Sequence, residues 1–241
     1  MTALAVMLIA MGIADASRRL TLRLWLPVAV APLVVSACAA MAGLWHLADI
    51  ALLVIATAAS VGWVLLSARA EGTGEHELAP LALFGAALVL LIALSGLSSD
   101  VAGLVARWPS WAGIAVDPDR LVMVIGVVLL QLVTGNQLVR LLLRSVGSIK
   151  PVGQPQASDR LKGGRLMGPM ERLLILGLGL AGQLAAATAV VAAKSIIRFP
   201  EINAQKARQN GGIGIDEVTE YFLVGSFASW IVALGGLALA H

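Results

Sequence analysis

The sequence predicts an all-α protein, a polytopic transmembrane helical bundle of about seven spans, or six if the first apolar segment lies in the interface. Two observations carry this. Of its 241 residues 59% are hydrophobic and only 13% charged, and the mean hydropathy is +0.90, well outside the balance of a soluble domain. The apolar residues also fall in runs close to the ~20 residues that cross a ~30 Å hydrocarbon core. Abundant Gly and Ala suit close helix packing, and no repeat of solenoid length is present. The chain reads as a single membrane domain.

The predicted spans cover residues 2–15, 24–44, 48–68, 79–97, 120–143, 171–198 and 217–240. The first is the weakest, because its apolar part stops at Asp15. It lacks the basic start of a signal peptide and carries Arg18, Arg19 and Arg23 behind it, so it reads as an uncleaved helix that begins outside. With the N-terminus outside and the C-terminus inside, the inner segments hold Arg18, Arg19, Arg23, Arg69, Arg140, Arg144, Lys150, Arg160, Lys162, Arg165 and Arg172. The outer segments hold Arg107, Arg120, Lys194, Arg198, Lys206 and Arg208. Four of these six come from one stretch, "AAKSIIRFPEI" and the loop after it, which breaks the positive-inside bias.

Between spans four and five, Trp108 and Trp111 sit where an interfacial aromatic belt belongs. Residues 145–170 read as a flexible basic cytoplasmic loop rich in Pro, Gly and Ser. Its glycines lack the spacing of a P-loop, so contact with anionic lipid is the better reading. The net charge of +3 is accounted for by residues flanking spans, which leaves no reason to invoke nucleic acid.

The sixth span supplies the candidate site. Pro169 and Glu171 suit a first helical turn and Pro200 stops the helix. Arg172 and Lys194 stand ~33 Å apart on a continuous helix, the thickness of the apolar core, and both can snorkel to its boundaries. Arg172, Gln183 and Lys194 then share one stripe, with Arg198 ~40° further round. Gln183 falls near mid-membrane and needs an interhelical partner. At the start of the last span Glu217, Glu220 and Tyr221 share a face. In an antiparallel hairpin they meet Lys194 and Arg198, as a structural ion-pair cluster, as a headgroup or ion site built of the same residues, or as independent solvated charges, the first two being compatible.

Elsewhere Gln131, Asn136 and Gln137 read as interhelical hydrogen-bond glue in the fifth span. His46, His76 and His241 are too scattered for a metal or haem, Cys38 is the sole cysteine, and no nucleophile motif appears. No cofactor or metal is expected.

"GPMERLLILGLGLAGQ", "AAKSIIRF" and "EYFLVGSFASW" together resemble the C-terminal part of a family of bacterial integral membrane proteins of unassigned function. The shared pattern runs Glu171-Arg172-Leu173, then Lys194-Ser195 with Arg198-Phe199, then Glu220-Tyr221, Leu223 and Gly225. It covers roughly residues 130–235. The resemblance implies a bacterial membrane location and brings no activity with it. The resulting expectation is a non-enzymatic protein of a bacterial inner membrane, a partner-binding or assembly subunit or a homo-oligomer, whose last two helices form the polar module. A small-solute or ion transporter or channel is the alternative. A third reading is a membrane enzyme acting on a lipid headgroup or lipid-linked phosphate, with Lys194, Arg198 and Lys206 on the phosphate and Glu217 or Glu220 as base.

Overall fold

The computed structural model describes residues 1–21, 23–111, 113, 116–149, 164–193, 196 and 215–241, with only the backbone at 110, 164, 165 and 215–218. The described residues are helical, without a strand. Among the described residues four helices are long and apolar enough to cross a membrane: Trp25–Ala42, Leu47–Thr73, Pro118–Ser145 and Thr219–Ala240. Leu78–Ala93 and Leu184–Ala193 are apolar but shorter. The chain divides into two compact units, Met1–Thr134 with Leu239–His241, and Gly135–Ala238.

In the first unit α1 (Thr2–Leu20) is packed against α2 (Trp25–Ala42), α3 (Leu47–Thr73) and α6 (Pro118–Leu129), and more lightly against α4 (Leu78–Ala93). Ala5, Val6, Met7, Ala10 and Met11 are completely buried. A helix apolar on every side must be enclosed on every side, and the segment that looked weakest is the hub of this unit. It continues past Asp15 to Leu20, and its 19 residues extend ~28 Å. The α1–α6 contact is backbone-close. A Cβ on Gly126 would lie 2.9 Å from the Ala5 carbonyl oxygen, and one on Gly12 would lie 2.8 Å from Leu129 Cβ.

The loop that carries Trp108 and Trp111 contains a short helix, α5 (Gly103–Trp111), and both indoles are exposed. The fifth span is not uniform. A π-helical turn, Leu130–Thr134, separates α6 from α7 (Gly135–Ser145).

In the second unit α8 spans Gly164–Leu180, α9 spans Leu184–Ala193 and α10 spans Ile215–Ala240. The expected continuous helix over residues 171–198 is therefore broken. Gln183 N–H donates to the Leu178 carbonyl and Gly182 N–H to the Gly179 carbonyl, at 2.8 and 3.0 Å, while Gly182 takes φ 73°. This is a Schellman stop, which needs a left-handed residue where glycine carries no steric penalty. Helix α8 also starts at Gly164, earlier than expected, so residues 164–170 are helix, not loop. Glu171 consequently lies past the first turn, where it was placed from the sequence.

Candidate functional site

Buried polar groups in the first unit form two layers, which follow from how α1, α3 and α6 run. Their N-terminal ends share one layer. Thr2 Oγ1 donates to Asp119 Oδ1 at 2.6 Å, and Val101 N–H donates to Asp119 Oδ2 at 3.0 Å. Ser99 N–H donates to Asp49 Oδ1 at 2.8 Å, and His46 N–H donates to Asp49 Oδ2 at 3.3 Å. Both oxygens of each carboxylate are thus occupied. Asp49 and Asp119 fasten the 99–101 segment to the starts of α3 and α6.

The second layer is built differently. At about 1.5 Å per residue, Asp15, Trp63 and Thr134 each stand ~20 Å along their helices from the first layer. Asp15 is 6% exposed. Its Oδ2 accepts from Trp63 Nε1–H at 3.0 Å, an indole fixed by complete burial and by tilted packing on Phe84. Arg18 Nη1 lies 3.7 Å from Oδ1. That guanidinium is committed elsewhere: Nη1 donates to Ser67 Oγ at 2.8 Å and Nη2 to Glu71 Oε2 at 2.7 Å. Thr134, fully buried in the π-turn, faces the same carboxylate. Neither Asp15 Oδ1 nor Thr134 Oγ1 has a hydrogen bond of standard geometry to any described residue. Gln131 is also completely buried in this turn, and Arg19 Nη2 donates to the Val133 carbonyl at 3.2 Å. A π-turn re-aims side chains and interrupts the regular helical ladder, which is why such turns recur at functional sites.

The second unit has its own polar centre. Arg172, expected to snorkel at a membrane boundary, is 1% exposed. Its Nη2 donates to Asn136 Oδ1 at 2.7 Å and its Nη1 to Ser229 Oγ at 3.1 Å. Next to it, Glu171 Oε1 accepts from Trp230 Nε1–H at 2.9 Å. The pair links α8 to α7 and α10. Gly168 leaves room for it, since a Cβ there would sit 3.4 Å from Arg172 Nη1.

Of the other residues chosen from the sequence, Gln183 is exposed at the α8–α9 break, so it shares no stripe with Arg172. Glu220 is exposed and accepts from Ser148 Oγ at 3.1 Å, and Tyr221 is half-buried on α10. Lys194, Arg198 and the side chain of Glu217 lie outside the described residues, as does Lys206. Asn136 does act as interhelical glue, holding Arg172. The residues not singled out from the sequence are Asp15, Arg18, Trp63 and Thr134. Asp15 carried the usable signal, an acid inside an apolar stretch, and was instead read as the end of its span.

Among the described residues no three His, Cys, Asp or Glu side chains are grouped to hold a metal ion. The chain matches no protein-family model, no curated protein and no solved structure.

Proposed function

We propose that the chain is an ion-linked membrane protein of the small-cation transport class, working through its first unit. The observation that carries this reading is the contrast between two buried carboxylates. Asp49 has a backbone donor on each oxygen, as a structural acid should. Among the described residues Asp15 has a donor of standard geometry on one oxygen only, ~20 Å into a bundle whose apolar layer is ~30 Å thick. Desolvating an acid at that depth is costly, and such residues are retained where a charge is bound or moved. A single mid-membrane amide was a meagre basis for an ion path. Asp15, Trp63, Arg18 and Thr134 are a better one.

The resemblance of residues 130–235 and the positive-inside count favour a bacterial cytoplasmic membrane with the N-terminus outside. Arg18, Arg19, Arg23 and Arg69 then flank the cytoplasmic side, so the Asp15 layer lies nearer that face. The test is reconstitution into liposomes loaded with a pH-sensitive dye, with imposed proton and sodium gradients. Wild type is expected to dissipate one of them faster than Asp15→Asn. Rates equal to protein-free liposomes for both gradients would sink the reading.

Partner binding, the expectation from the sequence, keeps one supporting observation. Helix α9 leaves Ala185, Thr188, Ala189 and Ala192 exposed, a small-residue face that another transmembrane helix could approach closely. Cysteine placed at Ala189 in a Cys38→Ser background should then crosslink in native membranes. An uncrosslinked Ala189→Cys protein would remove that support. The lipid-enzyme alternative rests on Lys194, Arg198, Lys206 and Glu217, which lie outside the described residues.

A further inference from the structure

We infer that the ligand of this site is a proton, held on Asp15 Oδ1 against Thr134 Oγ1, and not an alkali cation. This rests on the ion-linked reading above and specifies it. Three observations on the structure lead there.

The first is the charge balance. Three ionisable side chains make up the layer: Asp15, Arg18 and Glu71, at 6, 14 and 30% exposure. The closest pair is Arg18 with Glu71 at 2.7 Å, against 3.7 Å to Asp15. With that pair neutral, an ionised Asp15 leaves one negative charge in the interior, and one proton on Oδ1 removes it. Two further cations lie at this end of the unit, both at exposed positions where water screens them: Arg69 on α3, and Arg19 on α1, which acts on Asp15 only through space. On α1 the remaining cation, Arg19, is turned to the Val133 carbonyl at an exposed position. Helices α2 and α4 contain no Asp, Glu, Lys or Arg, Cys38 being the only titratable side chain between them. Asp119 and Arg120 on α6 belong to the opposite end, and the π-turn contributes the neutral Gln131 and Thr134.

The second is the donor set. Asp15 Oδ1 and Thr134 Oγ1, with Gln131 Oε1 buried in the same π-turn, are at most three side-chain oxygens, fewer than a dehydrated hard cation takes from a protein, and a guanidinium nitrogen 3.7 Å away repels such a cation. A proton needs one oxygen to bind and one to receive its hydrogen bond. The third is the fixed donor on the other side. Trp63 Nε1–H can only donate, so it occupies Oδ2 in both protonation states and directs the exchange to Oδ1. The step is a simple transfer: a proton from water at the Arg18–Glu71 end forms the O–H bond on Oδ1, and its reversal returns the proton to water. No other reactant is consumed.

The test is infrared difference spectroscopy of the full chain in lipid, stepping pH across the neutral range in sodium buffer and in choline buffer. The expected result is a protonated-carboxyl band in both buffers that is lost in Asp15→Asn and shifted in Thr134→Val, which removes the hydroxyl at nearly constant size. No carboxyl band, or a band that survives Asp15→Asn, would overturn the inference. A band suppressed by sodium but not by choline would also overturn it, in favour of a cation. If Asp15→Asn does not fold, the Thr134→Val shift decides: an unshifted band is against the inference. A band without flux in the liposome assay would overturn transport alone and leave the proton site standing.

Discussion

Asp15 and Arg172 are both buried ionisable residues, yet their partners give them different consequences. Arg172 donates to two neutral acceptors, Asn136 and Ser229. Truncation to Ala therefore strands those groups in the interior and is expected to cost the second unit ~3 kcal/mol, the upper end for hydrogen bonds to a charged group. Arg172→Lys should recover only part of it, because one ammonium does not span a forked pair of acceptors. Denaturant titration in micelles, with a probe in the second unit, would read both. Restored stability in Arg172→Lys would show that charge, not geometry, is what matters there. For Trp63→Phe the loss of one donor to Asp15 should cost ~1 kcal/mol in the first unit while keeping the ring packing. A loss several times larger would mean that the indole's packing on Phe84 is the main term.

At the level of elements, the close approach of α1 to α6 depends on residues without side chains. Gly126→Leu should drive α6 off the Ala5 carbonyl and destabilise the first unit by more than ~2 kcal/mol, as overpacking does. Gly177→Ala in α8 meets nothing within 4 Å and should be neutral or slightly stabilising in helix. Equal effects from the two would contradict the packing described. These same elements show what the sequence made legible. Runs of apolar residues located α2, α3, α4 and α10 to within a few residues, because hydropathy over ~20 residues is a strong signal. Within the predicted sixth span, hydropathy is equally smooth across Leu180 and Leu184, so it carried no sign of the break. The sign was Gly182 itself, the left-handed stop of α8. The π-turn left no comparable mark, since it depends on the packing of α1 against residues 130–134 and not on composition.

For the molecule as a whole, the feature that the sequence hid is the placement of α1. A run of apolar residues ending in Asp15 looks short for a span, and periodicity cannot tell an interfacial helix from an enclosed one. Enclosure by α2, α3 and α6 supplies the low-dielectric surroundings that make an unsatisfied carboxylate consequential. It also explains why the candidate site was sought near Lys194 and Glu217 while the described residues gather the more informative groups around α1. Helix α1 is the enclosed core of its unit, and in the proposed function it carries Asp15 into the membrane interior. Hydrogen–deuterium exchange of the full chain in lipid nanodiscs tests that most directly. The backbone amides of Val6 to Ala14 should exchange slowest in the first unit, and Asp15→Asn should leave them slow. Fast exchange across Val6 to Ala14, at the rate of a helix lying on the membrane surface, would contradict both the fold and the site built on it.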